Sequence, residues 1–282
     1  MELLKGSTVT KKINEDLKQT LSSWKGSLPH LAIIRVGDNP DDISYEKSAA
    51  KKMEFLGISH TIYTYPKTIS TQEFRTAFQK INEDSSIDAI LLLRPLPSSI
   101  DEKEIAEIIH PTKDIDGISP INIAKIFSGE KDGFAPCTAE AVMEMLSYTD
   151  IPLSGKTAVI IGRSLVVGKP LSMLLLNQNA TVTICHSKTK NLPSICKTAD
   201  ILISCIGRPH MIDASYVKEN AVVIDVGINF DENGSLCGDV DSDNITQASF
   251  ITPVPGGVGA VTTSILAKHV LKAAFIHQKL KD

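Results

Sequence analysis

Cysteine, tryptophan, long apolar runs and any dominant charge sign are all scarce in this chain of 282 residues. Its five cysteines, at positions 137, 185, 196, 205 and 237, form no C-x-x-C pair. An odd and scattered set gives no disulfide framework, and Cys185 and Cys205 sit inside apolar runs, so buried reduced thiols are expected. The seven histidines show no H-x-x-x-H or H-E-x-x-H spacing, and no metal site is expected. The longest apolar stretches, such as 89–93 and 158–161, fall far short of the roughly 20 residues that cross a bilayer. Met1-Glu2-Leu3-Leu4-Lys5 does not read as a secretory signal, so the expected location is the cytoplasm. Lys and Arg number 29 against 33 Asp and Glu, a formal charge of −4 without like-charge runs. That balance gives no reason to expect nucleic acid or a membrane as a partner. The 42% hydrophobic and 22% charged residues match a soluble globular protein, and the length suffices for two domains.

Strand-like and helix-like stretches alternate along the chain. Residues 31–36 form an apolar run ended by Gly37-Asp38-Asn39-Pro40, and a helix pattern over 42–56 is closed by Gly57. Residues 61–65 alternate like a strand. Ser70-Thr71-Gln72-Glu73 has the form of a capping box opening a helix to about residue 82. An apolar strand over 88–93 stops at Arg94-Pro95-Leu96-Pro97. Helices follow over 101–109 and 121–127, and Thr138 is expected to cap a helix over 139–148. A second series has strands at 157–161, 181–185, 201–205 and 222–226, with helices at 169–177 and 192–198. Short apolar strands separated by helices indicate βαβ units and a parallel sheet. Asp231-Glu232-Asn233-Gly234 carries the Asn-Gly signature of a tight hairpin, which interrupts that rhythm and suits a dimerisation arm. A last helix, about 263–279, is placed back on the first domain.

Residues 157–170 read as an apolar strand, a Gly-bearing turn and a helix start. Gly162 allows backbone to approach a pyrophosphate at the positive helix end, and Pro170 suits the first helical turn. The spacing departs from G-x-G-x-x-G. The strand at 181–185 ends in His186-Ser187-Lys188, without the carboxylate that holds a ribose 2′-OH in NAD sites. Arg163, Ser187 and His186 are instead suited to a 2′-phosphate, which favours NADP. The turns at 204–209 and 225–229 should face the same ligand. The run 252–259, rich in Pro and Gly, suits close backbone approach to a flat ligand.

These residues resemble the methylenetetrahydrofolate dehydrogenase/methenyltetrahydrofolate cyclohydrolase family over nearly the whole chain. The match runs through Val36-Gly37-Asp38-Asn39-Pro40 with Tyr45, Arg94-Pro95-Leu96-Pro97 and Lys113-Asp114-Ile115-Asp116-Gly117. It continues through Pro136-Cys137-Thr138, Gly162-Arg163-Ser164, Gly168-Lys169-Pro170 and His186-Ser187. It closes on 224–229, Gly238-Asp239-Val240-Asp241 and 252–259. The resemblance implies an α/β fold of two domains with a cleft between them. One is an α/β folate-binding domain (1–147, completed by the helix 263–282). The other is a Rossmann-type parallel-sheet NADP-binding domain (148–262). It implies oxidation of 5,10-methylenetetrahydrofolate with NADP, hydrolysis of the methenyl product to 10-formyltetrahydrofolate, and a homodimer. By the same resemblance Tyr45 and Asp116 are the catalytic and substrate-binding residues. Pro255, Gly256 and Gly257 line the folate pocket, while Gly162, Arg163, Ser164, Ser187 and Ile228 bind the cofactor.

The sequence departs from that family at the chemistry. A lysine is expected four residues after the tyrosine, and Ala49 stands there. The glutamine of Q-L-P-L-P is Leu93, and G-P-M-T reads Gly259-Ala260-Val261-Thr262. Hydride removal yields a cation stabilised by two flanking nitrogens, whereas hydrolysis needs water activation and proton transfers. The expectation is a retained dehydrogenase with weak or lost cyclohydrolase. Two alternatives stand beside it: a bifunctional enzyme using a substitute base such as Lys52, and a silent folate- or dinucleotide-binding paralogue.

Overall fold

The computed structural model describes residues 1–281. In chain order the first elements are β1 (Glu2–Leu3), α1 (Gly6–Ser22), β2 (His30–Val36), α2 (Pro40–Leu56), β3 (Ser59–Tyr65) and α3 (Thr71–Glu83). There follow β4 (Ala89–Leu92), α4 (Glu102–Ile108), α5 (Pro120–Ser128), α6 (Cys137–Ser147), β5 (Thr157–Ile161), α7 (Gly168–Asn177) and β6 (Thr181–Cys185). The last are α8 (Leu192–Cys196), β7 (Ile201–Ser204), β8 (Val222–Asp225), β9 (Asn229–Phe230), β10 (Leu236–Cys237), β11 (Phe250–Ile251) and α9 (Thr262–Lys281). They pack as two compact units. One holds Met1–Lys12 and Thr138–Thr262, the other Ile13–Cys137 and the chain from Thr263 on.

The unit of Ile13–Cys137 is built on three parallel strands in the order β3-β2-β4. Leu31, Ala32, Ile33 and Ile34 of the central strand are fully buried, as a parallel strand covered on both faces requires. Alternation sends Ala32, Ile34 and Val36 to one face, where they join Phe74 and Phe78 of α3 and Ile105 of α4 in one core. Helix ends obey their local chemistry. Ser70 and Glu73 form the reciprocal capping box on α3. Gly57 ends α2 in the left-handed region, at φ 72°. Thr138 is not a cap: α6 already starts at Cys137, whose N–H donates to Asp116 Oδ1.

The other unit carries a six-stranded sheet in the order β1-β11-β8-β7-β5-β6, parallel throughout. The four strands read from sequence fill its middle and one edge. The remaining two are pairs of residues at the other edge, with Glu2 and Leu3 registered on Phe250 and Ile251. Residues 1–12 therefore pack in this unit, whereas the sequence reading assigns them to the folate domain. The hairpin forms at the expected place: β9 and β10 pair antiparallel, and Asp231 accepts the N–H groups of Asn233 and Ser235. Among the described residues no helix is long and apolar enough to cross a membrane, and no cluster of metal-binding side chains occurs.

Candidate active site

The motif Val36-Gly37-Asp38-Asn39-Pro40 works as a mount for α2. Arg35 at the end of β2 donates to Glu46 Oε2 at 2.8 Å, to Asp38 Oδ1 at 3.1 Å and to the Gly37 carbonyl. Asn39 caps the helix by accepting from the Asp41 N–H at 3.0 Å. These contacts fix the first turns of α2, which carry Tyr45 beside the buried Glu46. One turn on, Ala49 is completely buried. Lys52 lies three residues further, and its Nζ donates to Asn14 Oδ1 at 3.2 Å and Ser264 Oγ at 2.9 Å. Partial burial pushes its pKa down.

The run Lys113-Asp114-Ile115-Asp116-Gly117 divides into scaffold and site. Lys113 donates to the carbonyls of Asn82 and Asp84 at 2.8 and 2.7 Å. Asp114, buried, accepts from the N–H groups of Ile118 and Ser119 and from Asn122 Nδ2. Asp116 is the member left partly exposed. Its Oδ1 accepts the Cys137 N–H at 2.9 Å, which gives Pro136-Cys137-Thr138 its purpose. Desolvation by the surrounding protein pushes the Asp116 carboxyl up, opposed by the Cys137 N–H and by the charge of Arg94. Arg94 itself is held by Glu102 Oε1 at 3.0 Å, while the adjacent Leu93 is buried.

In the six-stranded unit the nucleotide-type residues gather at the carboxyl ends of β5 and β6. The two strands are paired, and the Gly162 N–H donates to the Cys185 carbonyl at 2.9 Å, so the turns bearing Arg163 and His186-Ser187 are neighbours. Gly162 has φ 129°, and a Cβ there would lie 2.6 Å from the Cys205 carbonyl oxygen. A Cβ on Gly168 would meet the Gly162 carbonyl oxygen at 2.2 Å. Only glycine allows the turn to fold this tightly onto the start of α7. That helix start has no side-chain cap: Val167 precedes it, and Ser164 Oγ is used on the Val167 N–H. An uncapped helix N-terminus with exposed Arg163 and Ser187 beside it fits a dinucleotide phosphate group.

A cavity of about 340 Å³ lies beyond β8 in the same unit and brings together Ile228 and the turn Pro255-Gly256-Gly257. Its walls rest on two buried carboxylates, Asp225 and Asp239, to which the sequence motifs give no role by themselves. Asp225 accepts N–H groups from Gly227, Asp239 and Val240. Asp239 accepts from Ser204 Oγ, from the N–H groups of Ile206 and Arg208, and from Asn229 Nδ2. The available signal was an Asp at a strand end beside glycine, where a side chain can reach back to loop amides. Burial pushes the Asp225 carboxyl up to about 6 despite its three N–H donors. An acid raised on folding holds its proton longer in the folded state. Its contribution to stability therefore falls as pH rises from about 4 to about 6 and is level outside that window. The stability advantage of the parent over Asp225→Asn, measured by urea unfolding, should shrink across that window. An advantage that grows with pH would contradict the assignment.

Residues 4–116 match the model of the tetrahydrofolate dehydrogenase/cyclohydrolase catalytic domain, and residues 136–278 match that family's NAD(P)-binding domain. The bifunctional protein FolD of Clostridium kluyveri is 50% identical over 281 residues, covering 99% of each chain. The chain belongs to the tetrahydrofolate dehydrogenase/cyclohydrolase family. Solved members share its fold. The bifunctional FolD dehydrogenase/cyclohydrolase of Campylobacter jejuni superposes with a TM-score of 0.94 at 43% identity, covering 98% of this chain and 99% of that one. The Trypanosoma brucei methylenetetrahydrofolate dehydrogenase-cyclohydrolase, solved with NADP and an inhibitor, gives 0.90 at 33% identity and covers 96% of both chains. Within the family fold, Tyr45 and Asp116 stand in the catalytic-domain unit. Gly162, Arg163, Ser164, Ser187, Ile228, Pro255, Gly256 and Gly257 stand in the NAD(P)-binding unit.

Proposed function

We propose that this protein oxidises 5,10-methylenetetrahydrofolate to the methenyl form with NADP, and that its hydrolysis of the methenyl product to 10-formyltetrahydrofolate is weak or lost. The observation that carries the second half is the complete burial of Ala49, together with the burial of Leu93. Neither residue has a group that takes or gives a proton. The first half rests on the family and on an intact set of binding groups. Tyr45 offers an aromatic face for the pterin and Asp116 an acceptor for its N–H groups. The Pro255-Gly256-Gly257 turn supplies a backbone wall for the folate. Arg163 and Ser187 take the 2′-phosphate, Gly162 and Ser164 the pyrophosphate, and Ile228 packs on the nucleotide. Bound NADP supplies the hydride acceptor. The chain's own task in that step is to hold the reacting carbon in place and keep water away, without removing a proton from it.

A second reading, the fully bifunctional enzyme, has two supports: the bifunctional relatives, and a Lys52 whose pKa is lowered by burial. Against it, the Lys52 ammonium is already taken by Asn14 and Ser264. The homodimer belongs to the same proposal as the activity, with Phe230 exposed on the hairpin as a candidate contact. Paired initial rates with NADP and NAD test the cofactor assignment. The charge-assisted contacts of a 2′-phosphate predict a kcat/KM about 10–100-fold higher with NADP. Equal values, or a preference for NAD, would refute it.

A further inference from the structure

Arg94 and Asp116 present an uncommitted donor beside an uncommitted acceptor. Arg94 spends Nη1 on Glu102 Oε1 at 3.0 Å, and Asp116 spends Oδ1 on the Cys137 N–H at 2.9 Å. The facing atoms, Arg94 Nη2 and Asp116 Oδ2, are 3.9 Å apart. That is too long for a hydrogen bond, and neither atom makes another among the described residues. The two side chains are 21% and 24% exposed, so both can be reached. Both are also braced from behind. Glu102 Oε2 accepts the Leu96 N–H at 3.1 Å, and Cys137 is the first residue of α6.

A carboxylate oxygen next to a guanidinium N–H complements a flat edge on which a ring N–H neighbours a ring carbonyl. The pyrimidinone ring of a reduced pterin has such an edge. We propose that Arg94 is a substrate-specificity residue: Nη2 donates to the ring carbonyl oxygen while Asp116 Oδ2 accepts from the ring N–H. This rests on the folate reading above. The family motif Q-L-P-L-P has leucine where Arg94 stands, so the contact is not one that the motif itself supplies. The strand end has lost an amide at position 93 and gained a cation at position 94. The cation cannot act as a base at neutral pH, so it replaces binding and not acid–base work.

The test is calorimetric binding of tetrahydrofolate and of its 4-thioxo analogue to the full chain and to Arg94→Leu and Arg94→Met. The analogue keeps the ring N–H and replaces the oxygen with a weak acceptor. The parent is expected to prefer the oxo ligand by about tenfold, and both variants to lose that preference. KM for methylenetetrahydrofolate should rise about 10–100-fold with kcat nearly kept and KM for NADP unchanged. Two variants of different shape guard against a folding defect in one. Unchanged affinity and preference in either folded variant would overturn the inference. A parent that does not bind tetrahydrofolate would overturn it together with the folate reading. Arg94-dependent binding without NADPH formation would support the inference and sink only the dehydrogenase.

Discussion

Replacing Asp239 with alanine lowers the stability of the protein by about 4 kcal/mol, and its melting temperature by about 8–16 °C. The carboxylate is completely buried and accepts four hydrogen bonds, from two backbone N–H groups, one hydroxyl and one side-chain amide. Each donor stranded in the resulting cavity loses its only compensation for leaving water. The loss falls on the loop after β7, which holds Ile206 and Arg208, and on Asn229 at the start of β9. Asp239→Asn keeps the shape but turns an N–H₂ group toward donors, so an intermediate loss is expected. Thermal and urea unfolding read the effect, and a variant within about 1 kcal/mol of the parent would show that the network carries little.

Hydrolysis of methenyltetrahydrofolate is expected to run about 10²–10⁴-fold slower than in a family member that keeps the lysine and glutamine, the usual cost of losing positioned acid–base help. The two half-reactions make different demands. Departure of hydride leaves a cation stabilised by its own nitrogens, and binding geometry suffices. Attack of water requires that a proton be taken from it and given to a departing nitrogen. Ala49 and Leu93 do neither. Lys52 lies on the same helix face as Ala49 by periodicity, but its ammonium is held by Asn14 and Ser264. Freeing it means breaking both bonds. Asp116 has a raised pKa, yet in the proposed binding mode it is the acceptor that the substrate occupies.

The parallel strands were legible because each is buried on both faces and so reads as an apolar run between turn residues. β5, β6, β7 and β8 fall within a residue of the expected bounds. The capping box on α3 and the glycine ending α2 were legible for the same local reason: the signal lies within one turn of chain. What escaped was either too short or too polar. β1 and β11 contribute two residues each to the sheet, fewer than alternation needs to show itself. α1 buries a thin stripe, Val9, Ile13 and Leu17, among polar neighbours. Nothing local in Glu2-Leu3 says which sheet it joins, so the packing of residues 1–12 against the six-stranded sheet is not legible in the sequence. In the candidate site the motifs themselves could be read, but not the division of labour within them. Spacing cannot tell that Asp114 is scaffold and Asp116 is not, because that depends on Asn122 and Cys137 reaching them from later elements. The partnership of Arg94 with Glu102 and Asp116 is equally non-local.

One progress curve separates the oxidation from the hydrolysis. Methylenetetrahydrofolate and NADP are mixed with the protein, NADPH is followed by its fluorescence, and the methenyl and 10-formyl products are separated chromatographically in timed samples, with a protein-free control for the uncatalysed hydrolysis. Methenyltetrahydrofolate should accumulate mole for mole with NADPH and then decay at the uncatalysed rate or slightly above it. NADPH that rises while 10-formyltetrahydrofolate appears at a rate within tenfold of the oxidation rate would show that the cyclohydrolase is intact. It would also return the missing base to a group such as Lys52.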